Sequence, residues 1–262
     1  MKTPFQPLLI GMALFLLTAG SSLRAQVYAD SSTQLDKYMV PVSTPTAAPD
    51  AQGFLGRWLL LEPISKPNRS NTVFTDSYIR EAFAVQYFPG QLGNVLPKDG
   101  AKVKVTVEYQ PPVNLQAGRP MGFGMEAPKY EQKKVTLQWH AMDSKLPNVK
   151  LFRFATNLSE DRYGVIFWAV TVVNCEEDIP GVRLAVGSNS ASMWWVNGEE
   201  AVVLSGDRRR VMDDGASERL TLHKGRNVIW CAVINGPGMS DFCARFIDEA
   251  GQPVKNITLS TK

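Results

Sequence analysis

Short apolar segments separated by turn residues recur along the chain after residue 53, and several alternate between apolar and polar positions. This pattern is typical of β-strands. The clearest segments are residues 57–61, 103–109, 135–139, 151–155 and 163–173. The last of these, YGVIFWAVTVV, is apolar on both faces, as expected for a central strand that is covered on both sides. We therefore predict a sheet built around this strand.

Residues 78–87 show a different period. Ile79, Phe83 and Tyr87 recur at four-residue spacing, and Phe88-Pro89-Gly90 follows them. This spacing places the three side chains on one face of a helix, and the proline and glycine end it. We predict one short helix here.

Two hairpins are predicted near the carboxyl terminus. Asn197-Gly198 lies between the apolar runs 193–196 and 201–204, and this dipeptide favours a type I′ turn. The sequence Asn-Gly-Pro-Gly at 235–238 separates residues 227–234 from 242–247 in the same way. A turn centred near Pro237 would place Trp230 opposite Ala244.

The same register brings two of the three cysteines together. Cys231 would face Cys243, close enough for a cross-strand disulfide if the two residues form a non-hydrogen-bonded pair. The alternative is that all three cysteines are small buried apolar residues. In either case Cys175 is expected to be a buried thiol.

The amino terminus has the features of an export signal. Lys2 precedes an apolar run at residues 8–17, and a small-residue segment ending at Ala25 offers a cleavage site before Gln26. The run is shorter than the ~20 residues of a membrane-spanning helix. We expect residues 1–25 to be a signal peptide and the mature protein to be secreted or periplasmic, with no membrane association after cleavage.

The domain organisation follows from composition. Residues 26–52 are rich in Ser, Thr, Ala and Pro, so we expect a flexible linker or a loosely docked arm. Residues 53–262 then form one all-β domain, an antiparallel jelly-roll β-sandwich with one short helix. The formal net charge of +3 includes Lys2 and Arg24 of the leader, and it does not indicate a nucleic-acid partner.

The order of these segments is similar to that of a known family. The segments GRWLLLEPI, DSYIREAF, VTLQWHAMDS, YGVIFWAVTVV, VRLAVGSNSASMWWVNGEE and LTLHKGRNVIWCAVINGPGMSDFCARF carry the likeness. Together they resemble the galactose-binding-like jelly-roll domain, in particular the accessory region of acetylxylan esterases of gut Bacteroidota. The resemblance extends over residues 53–253. It implies a non-catalytic module that binds carbohydrate or packs against a separate catalytic domain. The family often has paired acidic residues where this chain has Ser188-Asn189-Ser190.

Candidate catalytic residues are few. The chain has two histidines and no Gly-x-Ser-x-Gly motif. His140 could act with Asp143 and Ser144 as an esterase-like set, and the alternative is a structural histidine at a strand end. Two histidines without nearby cysteine or carboxylate ligands do not indicate zinc. A structural calcium ion remains compatible with the sequence, because its oxygen ligands need no fixed spacing.

Candidate sugar-binding residues lie in one loop and on aromatic positions. The connection SGDRRRVMDDGAS at 205–217 offers bidentate donors and acceptors for a diol, or is a solvated charged surface. Trp194 and Trp195 are adjacent on one strand and must point to opposite faces. The family pattern favours Trp195 as the core residue, which leaves Trp194 as the stacking platform, and Trp139 is a second platform candidate. The full set of candidate ligand residues is Trp139, Asn189, Trp194, Arg208, Arg209, Asp213 and Asp214.

The sequence therefore supports three hypotheses. The first is a secreted, non-catalytic carbohydrate-binding or accessory module in the degradation of plant cell-wall polysaccharide of the xylan type. The second is a carbohydrate esterase of the acetylxylan-esterase kind. The third is a structural partner that docks onto a separately encoded polysaccharide-degrading enzyme.

Overall fold

A computed structural model describes residues 35–68, 73–110, 130–158, 163–206, 211–235 and 239–262. The expected signal peptide, residues 26–34 of the expected linker, Arg208, Arg209 and the turn at 236–238 lie outside the described residues. Within the described part of the chain, no helix is long and apolar enough to cross a membrane.

The described residues form a two-sheet antiparallel sandwich, as predicted. The strands are β1 (Met39–Pro41), β2 (Arg57–Leu61), β3 (Ile64–Ser65), β4 (Lys102–Tyr109), β5 (Glu131–Ser144), β6 (Val149–Lys150), β7 (Val165–Cys175), β8 (Ile179–Ser188), β9 (Ala191–Val196), β10 (Glu199–Leu204), β11 (Gly215–Ala216), β12 (Leu220–Leu222), β13 (Gly225–Asn235), β14 (Asp241–Ile247) and β15 (Ile257–Ser260). Two helices, α1 (Asp76–Ala84) and α2 (Leu151–Leu158), accompany them.

The larger sheet follows the order β1-β5-β2-β7-β13-β9-β10, with β3 and β15 also bonded to β7 and β4 bonded to β5. The smaller sheet follows the order β11-β8-β14-β6, with β12 also bonded to β8. Strand β7 lies in the middle of the larger sheet, and its side chains are buried on both faces. The prediction of a central strand from the continuous apolar run is confirmed.

Two apolar cores explain this burial. One core fills the space between the sheets, and the alternate residues Ile229, Cys231 and Val233 of β13 point into it. The other core covers the opposite face of the larger sheet, where Trp230 and the intervening residues of β13 pack beneath α1 and β4. The larger sheet is therefore the middle layer of the molecule.

Helix α1 forms where the four-residue spacing predicted it. The Thr75 hydroxyl accepts a hydrogen bond from the Tyr78 amide at 3.2 Å, which caps the amino terminus. Ile79 and Phe83 are buried against the larger sheet. The β9–β10 hairpin is also confirmed, with positive φ angles of 53° at Asn197 and 86° at Gly198.

The second predicted hairpin is wrong. Strand β13 is hydrogen-bonded to β7 along one edge and to β9 along the other, so it has no free edge for β14. Strand β14 pairs instead with β8 in the smaller sheet. Cys231 points into the core between the sheets, whereas Cys243 alternates with the core residues of β14 and points away. The predicted disulfide is accordingly not formed, and both residues are thiols.

One further prediction needs correction, and one pair of alternatives can be compared with the structure. Residues 151–155 form the start of helix α2 rather than a strand, because Leu151, Phe154 and Ala155 bury one helical face. The described part of the expected linker, residues 35–52, is packed on the sandwich. Met39 is fully buried, since β1 pairs with the last residues of β5, a strand longer than predicted.

Candidate functional site

The three residues of the predicted esterase set do not meet. All lie on β5, where His140 and Asp143 point to opposite faces because they are three residues apart. His140 Nε2 lies 3.1 Å from Glu62 Oε1, and the Asp143 carboxylate accepts two hydrogen bonds of 2.7 Å from Arg57. Ser144 is four residues from His140, about 13 Å along the strand. These side chains serve the packing of the sheet and do not form a triad.

The two tryptophans proposed as stacking platforms are buried. Trp194 has no exposed surface and contacts Phe242 edge-on at 5.4 Å between ring centroids, and its Nε1 donates to Ser192 Oγ at 3.0 Å. Trp139 packs in the other core and is 2% exposed. The platform prediction is wrong because both faces of the larger sheet are covered. Trp194 and Trp195 point to opposite faces, as expected, but each face is a core.

The predicted polar ligands have structural partners. The Asn189 side chain accepts a hydrogen bond from the Asp241 amide at 3.2 Å, which fixes the start of β14. The Asp213 carboxylate is ion-paired with Arg245, whose Nε lies 3.1 Å away. Asp214 is half-buried beside it and makes a contact of its own. The described residues of the charged loop thus brace the smaller sheet.

Metal binding receives no support from the described residues. Among them, no group of three or more histidine, cysteine, aspartate or glutamate side chains is placed to hold an ion. The Asp241 Oδ2 atom contacts the Lys150 ammonium and accepts a hydrogen bond from the Asn148 side-chain amide.

One cleft, which we call the polar groove, lies between the β9–β10 hairpin and β12. It encloses about 650 Å³. Its lining includes Asn197, Glu199, Glu200, Ala201, Glu218, Arg219, Leu220, Thr221 and His223. The groove follows β10, the last strand of the larger sheet.

The charged side chains of the polar groove are partly committed to other contacts. Glu200 is ion-paired with Arg80 of helix α1, with 2.8 Å between Oε1 and Nη2. Arg219 donates to the Gly181 carbonyl at 3.0 Å and lies 3.3 Å from Glu249. The lining contains no tyrosine, phenylalanine or tryptophan. The groove can donate and accept hydrogen bonds, but it offers no broad apolar ring.

A second cleft, which we call the tyrosine cleft, lies along the edge of β4 that faces β3. It encloses about 260 Å³. Its lining consists of Ser65, Lys66, Val85, Gln86, Tyr87, Lys104, Thr106, Val107, Glu108 and Gln132. Because β4 bonds only β5 among the described strands, the edge along this cleft is unpaired.

An ion pair and a tyrosine ring define the chemistry of the tyrosine cleft. Lys66 Nζ lies 2.8 Å from Glu108 Oε1, and both side chains are partly exposed. Tyr87 is half-buried, and its hydroxyl donates to the Ala82 carbonyl at 3.3 Å. The ring is therefore held in place by a bond at its outer end.

A second tyrosine, Tyr78, lies near this ion pair. Burial raises the pKa of Tyr78, and the negative charge of Glu108 raises it further. Burial also raises the pKa of Tyr87, with smaller contributions from Glu108 and Tyr78. Since these shifts favour the protonated form, the Tyr78 and Tyr87 hydroxyls stay neutral at physiological pH and act as hydrogen-bonding groups.

Sequence reasoning did not single out this set of residues. Tyr87 was used there only as part of the helical spacing, and it lies just beyond the last residue of α1. Lys66 and Glu108 are far apart in sequence, and only the packing of β4 beside β3 brings them together. The signal that the sequence offered for this cleft was the group of three tyrosines at positions 78, 87 and 130, near a region rich in proline and glycine.

No family model and no curated protein matches this chain. Among solved structures, the PA14 sugar-binding domain from an RTX adhesin is similar with a TM-score of 0.36 and 9% identity, over 78% of this chain and 96% of that one. The PA14 domain of the MpAFP antifreeze protein gives a TM-score of 0.37 and 11% identity, over 84% and 96%. A GH31 α-xylosidase from Xanthomonas citri gives 0.25 and 9%, over 86% and 28%. At these scores the likenesses carry no argument, and the two clefts must be judged on their own chemistry.

Proposed function

We propose that this protein binds carbohydrate without covalent chemistry, through the tyrosine cleft. The observation that carries the proposal is a half-buried tyrosine ring beside a surface ion pair and two glutamines in one cleft. An aromatic ring accepts the C–H face of a pyranose, while charged and amide groups bond its hydroxyls. The polar groove does not combine these two features.

The ion pair gives the cleft its capacity for hydroxyl recognition. A carboxylate and an ammonium side by side can accept from one hydroxyl of a vicinal diol and donate to the next. Because the Lys66 ammonium and the Glu108 carboxylate are already held 2.8 Å apart, these two side chains lose less conformational entropy when a sugar binds. Gln132 lies opposite Glu108 on β5, and Gln86 also lines the cleft, where its amide nitrogen donates to the Phe88 carbonyl at 2.6 Å and its side-chain oxygen can accept.

The size of the cleft limits the ligand and its affinity. A volume of about 260 Å³ suits one or two sugar rings of a longer chain, with the remainder in solvent. Each protein–sugar hydrogen bond replaces a bond to water and contributes only about 0.5–1.5 kcal/mol. We therefore expect dissociation constants on the order of micromolar to millimolar.

The biological setting of the proposal is accessory binding in the breakdown of plant cell-wall polysaccharide of the xylan type, outside the cell. The basic and apolar leader supports export, and the resemblance to accessory regions of acetylxylan esterases supports the substrate class. A separate catalytic protein would then supply the chemistry. The separation of His140, Asp143 and Ser144 from one another gives the esterase hypothesis no site.

The test is a calorimetric screen of residues 26–262 against xylans, arabinoxylans, galactans and pectins, repeated with Tyr87→Ala. Loss of the ring should weaken binding by about 30-fold, as for a contact of about 2 kcal/mol at the centre of an interface. Tyr38→Ala is the matched control, because Tyr38 is also half-buried but lies beside β1.

Three results are informative. Binding that is weakened by Tyr87→Ala and kept in Tyr38→Ala supports the proposal. Binding that is equal in all three proteins would place the sugar elsewhere. A chain that binds no glycan, or that releases acetate from acetylated xylan through His140, would overturn the proposal.

A further inference from the structure

The outer face of the β4–β5 hairpin carries a group of lysines beside the tyrosine cleft. Lys102 and Lys104 are two residues apart on β4, so their side chains share one face of the hairpin. Lys134 of β5 pairs with Thr106, which places it on the same face. All three side chains are exposed. The hairpin therefore presents a positive strip that leads into the cleft, where Lys104 is part of the lining.

The described part of the chain supplies no carboxylate that pairs with the lysines of this strip. Glu108 is ion-paired with Lys66, so that these two charges offset each other. Among the described residues, no carboxylate lies within ion-pair distance of Lys102, Lys104 or Lys134. Like charges on one face repel, and they are stabilised when an anion lies between them.

The polar groove has the opposite character. Glu199 and Glu218 are exposed there, Glu200 is ion-paired with Arg80, and Arg219 is ion-paired with Glu249. His223 is the remaining basic side chain of the lining. An anionic chain would be repelled from this groove and attracted to the strip. The two clefts are thus distinguished by charge as well as by their aromatic content.

We propose that the glycan recognised by the tyrosine cleft is anionic, a polysaccharide whose uronic acid carboxylates lie against Lys104 and its neighbours on the strip. This inference rests on the proposed function, because it specifies the ligand of the same cleft. The Tyr87 ring takes one sugar face, and the Lys104 ammonium takes the carboxylate of the same or the adjacent unit. The exposed ammonium groups make the interaction sensitive to salt.

The test compares polygalacturonate with its methyl ester, two polymers with the same backbone that differ in charge. Calorimetry is done with residues 26–262 at about 0.05 M and about 0.5 M NaCl, a range over which the screening length shortens about threefold. We expect the acid to bind at least about tenfold more tightly than the ester at low salt, as for one charge-assisted contact, and the difference to shrink at high salt. A sulfated galactan in a third arm distinguishes carboxylate recognition from a general response to anions.

The matched variants are Lys104→Glu and Lys224→Glu. Both positions are exposed, but Lys224 lies in the turn before β13, outside the lining of either cleft. Lys104→Glu should weaken binding of the acid by about tenfold or more, and Lys224→Glu by less than about twofold. Circular dichroism verifies that both variants are folded.

The outcomes separate this inference from the proposed function. Equal binding of the acid and the ester, or tight binding of neutral xylan alone, would overturn the inference that the ligand is anionic. The proposed function would still stand if Tyr87→Ala weakens the binding that remains. Equal losses in both lysine variants would show that net charge, rather than the strip, attracts the polymer, and would also overturn it. Failure to bind acid, ester, sulfated or neutral glycan would instead remove the proposed function itself.

Discussion

The two clefts of this protein follow the unpaired edges of two strands, yet they differ in what their walls can do. The polar groove beside β10 is the larger, at about 650 Å³ against about 260 Å³. Its lining has carboxylates and an arginine but no large apolar ring. The tyrosine cleft beside β4 has a ring, an ion pair and an adjacent positive strip. Volume alone does not choose between the two clefts as a sugar site, because recognition depends on an apolar surface and converging polar groups together.

Helix α1 contacts a lining residue of the polar groove and lies near a lining residue of the tyrosine cleft. Arg80 bonds Glu200 at the rim of the polar groove. Tyr78, near the start of the same helix, lies close to Glu108 of the tyrosine cleft. Two residues of one helical turn therefore reach the two regions: Arg80 forms an ion pair on one side, and Tyr78 lies near a carboxylate on the other.

The largest expected effect tests whether aromatic residues outside the tyrosine cleft are structural. Trp194→Ala should lower the free energy of unfolding by about 3–5 kcal/mol, because it removes a large ring from a closely packed core. The lost contacts include Trp58 at 6.2 Å between ring centroids and the bond to Ser192. Urea denaturation measures the loss.

Tyr163→Ala is the matched exposed truncation, since Tyr163 is 56% exposed. It should change stability by less than about 1 kcal/mol. The folded fraction of Trp194→Ala should still bind glycan. A Trp194→Ala protein with unchanged stability but without glycan binding would contradict the comparison and restore Trp194 as a platform.

The sequence predicted the parts of the fold that local signals control. The apolar run of β7, the Asn197-Gly198 turn and the four-residue spacing of α1 each determine a conformation within a few residues, and each is confirmed. The turn-rich connection after Asn235 could return β14 to the same sheet or carry it to the other. The choice depends on β9, which pairs with the edge of β13 that β7 leaves open. Because β9 lies about 30 residues upstream of β13, no local signal reports this pairing.

The candidate site depends on contacts that no local pattern reports. The alternation at Trp194 and Trp195 showed that the two rings point to opposite faces, but not that both faces are covered. Lys66, Tyr87 and Glu108 come from three separate elements, and their spacing in the sequence carries no motif. Cleft chemistry of this kind becomes visible only after the layers are assembled.

A smaller effect concerns the pH dependence of stability in the tyrosine cleft. Because the pKa values of Tyr78 and Tyr87 are raised in the folded protein, the unfolded chain releases these protons first as the pH rises. Their stabilising contribution is complete below the unfolded tyrosine pKa of about 10 and is lost as the pH rises above it. The Tyr78→Phe/Tyr87→Phe double variant cannot ionise at these positions.

We therefore expect unfolding free energies measured in urea between about pH 8 and about pH 11 to fall less steeply in the double variant than in the parent protein. Tyr163→Phe is the control, and it should keep the parent slope because Tyr163 is largely exposed. Identical slopes in all three proteins would show that Tyr78 and Tyr87 are solvated rather than packed. The tyrosine cleft would then have no fixed aromatic ring to distinguish it from the polar groove.

The smallest expected effect is in the polar groove. Glu199 and Glu218 are exposed, and neither forms an ion pair among the described residues. Glu199→Gln/Glu218→Gln should therefore change stability by no more than about 0.5 kcal/mol. It should also change affinity for glycans by less than about twofold, because the proposed binding site is the other cleft. The same calorimetric titration that tests Tyr87→Ala measures this. A folded double variant that no longer binds would reverse the comparison, since hydrogen bonding in the larger groove, without an aromatic ring, would then be sufficient to hold the sugar.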